Sequence, residues 1–521
     1  MKHNVLAAAS LVLLANTALT LCSQAGCPSY TEYSSVAHGP YSAGKYRIPS
    51  MRPPRRCRTF VSPTVERVVE DVTAAIADPD WKHLFGNTFA NTLDTTVAWH
   101  DDGSNSGSGS SNSTKERQPP YTFLITGDIT AQWIRDSTNQ MMPYIAYAAD
   151  DGALARLVLG LINMQAEELA AYPYGNAFQP PARSGLAPSR NGIGVDVRVT
   201  PAYDSSVVFE AKFEIDSFAS FFQLGNRYWA ATGDAAFAES ETWQTAVAAI
   251  LAVVRQQQEP TFGADNRPSR PAVTYARKTW AATETQFVGG GGNPAKRTGM
   301  VRTLFRPSDD ATVLPFLVPA NAFLAAELRS LGEMLGALGG AHADAAREAA
   351  ALGAEIRRGV MQHGTAQHPT LGRVFAYETD GYGSALLMDD ANGPSLLALP
   401  LLGFVGADDP LYVRTRAMVL SADHNPWFFV GSAATGVGSP HTGVARVWPM
   451  AVAMRGLTSA NRTEVADCLD QLKATTAGLG LMHESVNVAS PADYTRSWFA
   501  WCNSLVGQLV VDALARFPGI I

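Results

Sequence analysis

The sequence predicts an all-α protein, a toroid of helical hairpins whose long loops and short β-hairpins form one working face. Three observations lead there. Twelve helix-period segments follow one another along the chain, strand signals are few, and acids, arginines and tryptophans collect in the loops between the segments. A βαβ fold would instead alternate apolar strands with its helices. The 521 residues are 46% hydrophobic and 17% charged, ample for the core of one large domain or two ordinary ones.

The chain opens with Lys2 and His3, an apolar run from Val5 to Leu21, and small residues ending at Ala25. That is the layout of a secretory signal peptide over residues 1–25, and it predicts a secreted or secretory-pathway lumenal protein. The alternative is a retained signal anchor, although Asn16, Thr17 and Thr20 interrupt the run and its length is short for a span. Of five cysteines, cleavage would remove Cys22 and leave Cys27, Cys57, Cys468 and Cys502. A Cys27–Cys57 disulfide would staple residues 26–60, a Pro-, Ser-, Tyr- and Arg-rich arm without periodicity. Cys468 lies at helical spacing with Val465, Leu469 and Leu472, which suits a buried free thiol equally. Two glycosylation sequons occur, Asn112-Ser-Thr in a Gly/Ser loop and Asn461-Arg-Thr, where Asn461 with Glu464 also reads as a capping box.

Order is expected from Ser62-Pro63, a cap followed by a proline at the first helical position. Val65, Val68, Val69, Val72 and Ile76 mark one face of a helix over 63–77 that stops before Asp78-Pro79. Further helices are predicted over 136–149, 151–171, 215–232, 239–258, 315–338, 341–360, 394–402, 409–421, 444–457, 461–476 and 495–515. Tyr121 to Thr126 and Asp196 to Pro201 read as short hairpins on the face of the helical body. Residues 61–521 are thus expected to form a single domain.

Chemistry concentrates in the loops TGDITAQWIRDS (Thr126 to Ser137), FRPSDD (Phe305 to Asp310), YETDGYGSALLMDDANGPS (Tyr377 to Ser395), GVGSPHTG (Gly436 to Gly443), LMHES (Leu481 to Ser485) and TRSWFAW (Thr495 to Trp501). Carboxylates and arginines grip hydroxyls, and tryptophan faces pack on the apolar side of a pyranose, so a neutral sugar suits this composition. In FRPSDD the adjacent carboxylates Asp309 and Asp310 repel, which pushes one toward the protonated form that a general acid needs. The plainer alternative is that they cap the following helix. Glu484 is the second carboxylate. A net charge of -7 with a pI near 5.8 and no Lys/Arg cluster argues against nucleic acid as a partner. There is no HExxH, EF-hand loop, GxSxG or Walker loop, so neither a metal nor any other cofactor is expected.

At these residues the chain resembles a known family. WIRDS, FRPSDDA followed by VPAN, YETDGYG with MDDAN and PSLLALP, GSPHTG, MHES and TRSWFAWCNSL stand in the order of the motifs of glycoside hydrolase family 125, from about Ser62 to the C-terminus. The resemblance implies an (α/α)6 barrel and a metal-independent exo-α-1,6-mannosidase that inverts the anomeric centre. Inversion requires an acid and a base about 6.5–9.5 Å apart. By motif, the acid comes from the FRPSDD pair and Glu484 is the base. Spacing does not separate Asp309 from Asp310; Asp310 is favoured, with Asp309 as its hydrogen-bonded neighbour.

The same resemblance places Asp128, Arg135 and Asp136 on hydroxyls of the terminal mannose, the alternative for Arg135-Asp136 being an internal salt bridge. One of Asp380, Asp389 and Asp390 is expected in the pocket, the others capping helices. His441 suits a ligand contact, His483 would orient the base, and Arg496 and Trp498 would complete the wall, with Phe499 and Trp501 left open between wall and packing. Expected partners are α-mannoside oligosaccharides or mannoprotein glycans, with no membrane contact after signal cleavage. Insertions at Gly103 to Ser113 and Glu259 to Lys296 leave the motifs intact. The competing readings are another inverting hydrolase on the same toroid, such as an α-glucosidase, and a secreted mannan-binding protein without catalysis.

Overall fold

The computed structural model describes residues 26–104, 118–191 and 196–521. The signal-like segment, Cys22, Asn112 and most of the Gly/Ser loop lie outside the described residues. The principal helices are α1 (Tyr30–Tyr33), α2 (Pro63–Ala75), α3 (Pro79–Phe89), α4 (Asn91–Thr95), α5 (Ile134–Ile145), α6 (Gly152–Ala171), α7 (Ile215–Thr232), α8 (Glu241–Gln257), α9 (Val318–Leu338), α10 (Ala343–His363), α11 (Pro410–Val419), α12 (Pro449–Leu457), α13 (Arg462–Ala474) and α14 (Ala500–Arg516).

Capping explains several starts. Ser62 Oγ accepts the Val65 N–H at the head of α2, and Pro63 fills the position whose N–H would go unused. The same device begins α3, a helix absent from those the sequence predicts. Asp78 Oδ1 accepts the N–H groups of Asp80 and Trp81 with Pro79 between them, so Asp-Pro starts a helix there as well as ending one. Asp409-Pro410 repeats the pattern at α11. Asn461 caps α13 through the Thr463 and Glu464 N–H groups, while Glu464 turns to Arg416, Arg455 and Ser459 instead of closing a box.

One expected helix is absent. Residues 394–402 form successive turns, with Asp389 accepting the Leu396 and Leu397 N–H groups, because Pro394 and Pro400 bracket the segment and leave no room for a continuous ladder. The helices predicted over 444–457 and 495–515 begin only at Pro449 and Ala500, since their first residues belong to strands or to the turns and bends beside them.

Helix α5 packs against α7 and α14, α7 against α9, α9 against α10, and α12 against α13 and α14, around one continuous apolar core that includes Trp81, Tyr144, Phe218, Tyr412 and Trp448. Three small antiparallel sheets tie the motif loops together. Gln132–Trp133 pairs with Ala177–Phe178, and that with Val208–Glu210. Glu378–Thr379 joins Phe316–Leu317 to Ala385–Leu386, and Ser485–Asn487 joins Arg446–Val447 to Ser490–Thr495. Tyr121–Leu124 pairs with Val97–Asp101, but Val197–Thr200 forms no local hairpin. Its partner is Thr274–Arg277, so this pairing anchors the Glu259 to Lys296 segment.

The arm is stapled as expected. Cys27 and Cys57 form a disulfide, and Cys468 and Cys502 are buried free thiols. Helices α9 and α10 approach closely enough that a Cβ on Gly353 would stand 2.9 Å from the Ala325 carbonyl oxygen. Both atoms are held by helical backbone, so Gly353→Val is expected to cost about 1–3 kcal/mol in urea denaturation.

Candidate active site

The FRPSDD loop is a tight hairpin closed by a bridge between Phe305 and Ala311, with the Arg306 N–H donating to the Asp310 carbonyl and the Asp309 N–H to the Arg306 carbonyl. Asp309 adopts φ 63°, a left-handed conformation that Asp tolerates better than most residues. The two neighbours thereby part. Asp309 lines a cleft with Thr126, Asp128, Asp136, Asn392, His441, Glu484 and Arg496. Asp310 is buried beside it, accepting the Ser308 hydroxyl at 2.9 Å and lying 3.5 Å from His441 Nδ1. Neither caps α9, whose N-cap position is Leu317 and has no side-chain cap.

Two guanidiniums hold the carboxylates on the cleft, Arg135 on one side and Arg496 on the other. Arg135, in the first turn of α5, reaches Asp309 Oδ1 with Nη2 at 3.2 Å. The same side chain lies 3.3 Å from Asp136, so the internal salt bridge exists alongside the cleft position of Asp136. Arg496, held at φ 56°, donates through Nε to Glu484 Oε1 at 3.2 Å and through Nη1 to Asp128. Aromatic walls come from Trp133, Trp448, Phe499 and Trp501.

Several predicted site residues stand behind this wall. Asp380 accepts the Tyr382 and Ser384 N–H groups, a turn cap outside the cleft lining. Asp389 caps the 396–403 turns, and Asp390 accepts the Ser439 hydroxyl and the Asn392 N–H. Asp390 therefore joins two motif loops, and its neighbour Asn392 takes the cleft position. His483 is fully buried; its Nδ1–H donates to the Arg496 carbonyl at 2.9 Å and its ring stacks on Tyr494. It braces the bend that carries Arg496 rather than touching Glu484. Trp498 lies beneath the cleft against Gly127 and Tyr30, while Phe499 and Trp501 form the wall in its place.

Besides Asn392 and Trp448 on the cleft, the residues missed by sequence include Glu210, Lys212, Glu214 and Asp216. All are buried, and Glu214 and Asp216 reach Arg135 at 2.5 and 3.3 Å. Their signal was present as FEAKFEID, in which charged and apolar residues alternate with the period of an extended chain.

Burial alone would raise the Asp309 carboxyl, but Arg135 and then Lys212 hold it down at about 2. Burial raises Glu214 well above the ordinary range against the pull of Arg135. His441, although burial opposes its charge, is pushed up to about 9 by Asp310, Glu484 and Asp309, so it faces the cleft as an imidazolium. Burial brings Asp136 to about 6 and Asp389 to about 7.

A larger cavity of about 680 Å³, lined by Phe60, Trp99, His100 and Arg183 among others, contains none of the motif residues, so size does not locate the chemistry.

A family model described as metal-independent α-mannosidase (GH125) matches residues 78–511. The chain belongs to this family. It is 47% identical over 497 residues to the Meiotically up-regulated gene 157 protein of Schizosaccharomyces pombe, a match covering 95% of this chain and 94% of that one. Among solved structures, a metal-independent α-mannosidase of Streptococcus pneumoniae, in a non-productive complex with α-1,6-mannobiose, superposes with a TM-score of 0.77 at 32% identity, over 88% of this chain and 99% of that chain. The GH125 chain described here is accordingly a glycoside hydrolase and a mannosidase.

The raised groups fix a stability profile. A group whose folded pKa exceeds its unfolded value binds more protons when folded, so its contribution is complete below the unfolded pKa and is lost as pH rises through the folded one. Asp389, at about 7, and His441, at about 9, act in the same direction. The melting temperature is expected to fall steadily from about pH 5 to about pH 9 in calorimetric scans.

Proposed function

We propose that this protein is an inverting exo-α-1,6-mannosidase, with Asp309 as general acid and Glu484 as general base. The observation that carries the reading is the pairing of two carboxylates on one cleft, each clamped by a separate arginine. Inverting hydrolysis asks for this arrangement. One carboxyl protonates the leaving glycosidic oxygen while the other takes a proton from water attacking the anomeric carbon from the opposite side. Placement favours Asp309 over Asp310 as donor, since Asp309 borders the cleft and Asp310 is turned behind it against Ser308 and His441. The preference for an α-1,6 linkage draws on the mannobiose bound by the pneumococcal relative.

Asp128, Asp136, Asn392, His441 and Arg496 offer donors and acceptors to mannose hydroxyls, and the aromatic wall suits the apolar face of the ring. The packing of α5, α7, α9, α12 and α14 fits the inner ring of an (α/α)6 barrel within one catalytic domain over 61–521, with α-mannoside oligosaccharides or mannoprotein glycans as substrates. The Cys27–Cys57 disulfide suits an oxidising compartment and supports a secreted or lumenal location.

The test is an NMR time course on α-1,6-mannobiose with EDTA present. Release of β-mannose first is the expected result, and first release of α-mannose would overturn inversion. Glu484→Gln and Asp309→Asn should each lower kcat by about 10²–10⁴-fold, with Asp310→Asn affected less. Binding of mannobiose without turnover by the unmodified protein would favour the mannan-binding alternative.

A further inference from the structure

At the floor of the cleft Asp309 and Asp136 join a group of buried acids, Glu210, Glu214 and Asp216, to which the reaction above assigns no part. Glu210, Glu214 and Asp216 come from the FEAKFEID segment, Asp136 from α5 and Asp309 from the FRPSDD loop, and all converge on two cations. Arg135 contacts four of them, with Nη1 at 2.5 Å from Glu214 Oε2 and 3.3 Å from Asp216 Oδ2, Nη2 at 3.2 Å from Asp309, and Nε at 3.3 Å from Asp136. Lys212 Nζ is 3.3 Å from Glu210 and 3.9 Å from Glu284, which itself pairs with Arg277. His441 faces Asp309 from the cleft.

Five carboxyls around Arg135 and Lys212 would leave an excess of negative charge in a buried region if all were ionised, and burial makes that prohibitive. Protons are therefore retained there. Chemistry indicates where one of them sits. Glu214 and Asp309 take the two terminal nitrogens of the one Arg135 guanidinium, at 2.5 and 3.2 Å, and so stand side by side. Two ionised carboxylates held against one buried guanidinium repel each other, and a proton on one of the two relieves that repulsion. Glu214 is the member sealed from solvent, and its oxygens already receive Arg135 Nη1 and Asn176 Nδ2, the latter at 3.2 Å. Those donors stand ready to stabilise Glu214 once it gives the proton up. Asp309 has the opposite situation, held toward the ionised form by Arg135 and Lys212. Alone it would be an acid seldom loaded with a proton at ordinary pH.

We propose that Glu214 is a positioning residue that stores the proton Asp309 delivers to the substrate. This rests on the reading of Asp309 as the general acid. In the loading step the Glu214 O–H bond breaks and an Asp309 O–H bond forms, leaving Glu214 as a carboxylate between Arg135 and Asn176. Asp309 then passes the proton to the glycosidic oxygen as the C1–O bond breaks and its electron pair stays on that oxygen. Water supplies the new C1–O bond and its proton goes to Glu484. Exchange with solvent then discharges Glu484 and reloads the Glu214–Asp309 pair.

The experiment compares two substrates that differ in their need for an acid. α-1,6-Mannobiose requires protonation of its leaving oxygen, whereas α-mannosyl fluoride departs without it. Glu214→Gln is expected to reduce kcat on mannobiose by about 10²-fold and to move the alkaline limb of its pH profile downward by about one pH unit or more, with fluoride hydrolysis nearly unchanged. Asp309→Asn should show the same split between substrates. If Glu214→Gln lowers both activities in parallel, or leaves the pH profile where it was while Asp309→Asn still splits the substrates, Glu214 is only structural and the proposal falls. If Asp309→Asn shows no split, the assignment of the acid fails and the proposal falls with it. Should the Gln variant not fold, Glu214→Asp keeps an ionisable group farther from Asp309; a milder split with the same sign supports proton storage, and parallel loss overturns it.

Discussion

The guanidinium of Arg135 is the interaction on which the site depends. It is buried and meets Asp136, Glu214, Asp216 and Asp309 within 3.3 Å. A lone buried guanidinium would be severely unfavourable, and four crowded carboxyls without it would be worse, so each side of the cluster exists because of the other. The arrangement also demands geometry. Arg135 sits in the first turn of α5, directly after the strand pair that fixes Trp133, and its reach connects that helix to the FRPSDD loop and to the head of α7. Arginine suits the task because its planar group spreads donors over a rigid fork of nitrogens, whereas a lysine gathers them on one.

What could be read from the chain follows the range of each interaction. Most helices were legible because apolar spacing and caps are local, and FRPSDD and MHES were legible because their residues are contiguous. The helix at Pro79–Phe89 was missed because Asp78-Pro79 serves equally as a stop and a start, and only the Asp80 and Trp81 N–H groups pointing back at Asp78 decide between them. Glu214 escaped for another reason. Its partners Arg135 and Asp309 are 79 and 95 positions away, and no local pattern reports a contact of that kind. The exchange of Trp498 for Phe499 and Trp501 on the wall has the same origin, since helix α14 begins only at Ala500 and its phase sets which ring faces the cleft.

The loops differ from the helices in how they are held. Each three-stranded sheet is too short to be stable alone, yet each joins segments from different parts of the chain. Glu378–Thr379 ties the start of α9 to the Tyr377 loop, and Glu378 also accepts Arg306 Nε at 2.6 Å and the Val313 and Leu314 N–H groups. Strand Ser485–Asn487 places Glu484 next to the turn that carries Arg496. The Glu259 to Lys296 segment enters the same framework, with the Thr283 carbonyl accepting the Ala311 N–H at 2.7 Å. Cross-links of this kind give irregular backbone the precision that a reaction centre requires.

The stapled arm places the two ends of the described chain side by side. Tyr30 packs edge-on to Trp498 and Ser34 bonds to Ser497, residues flanking the turn that carries Arg496, while Ala77 donates its N–H to the Ile521 carbonyl. During synthesis the early segments wait for nearly the whole chain before these contacts can close. Helices in the middle can pair as they emerge, but the arginine that holds Glu484 gains its support last. A complete cleft is therefore a property of the finished polypeptide, and a ribosome-bound fragment lacking α14 would carry most of the body of the enzyme with Arg496 and Glu484 unsupported.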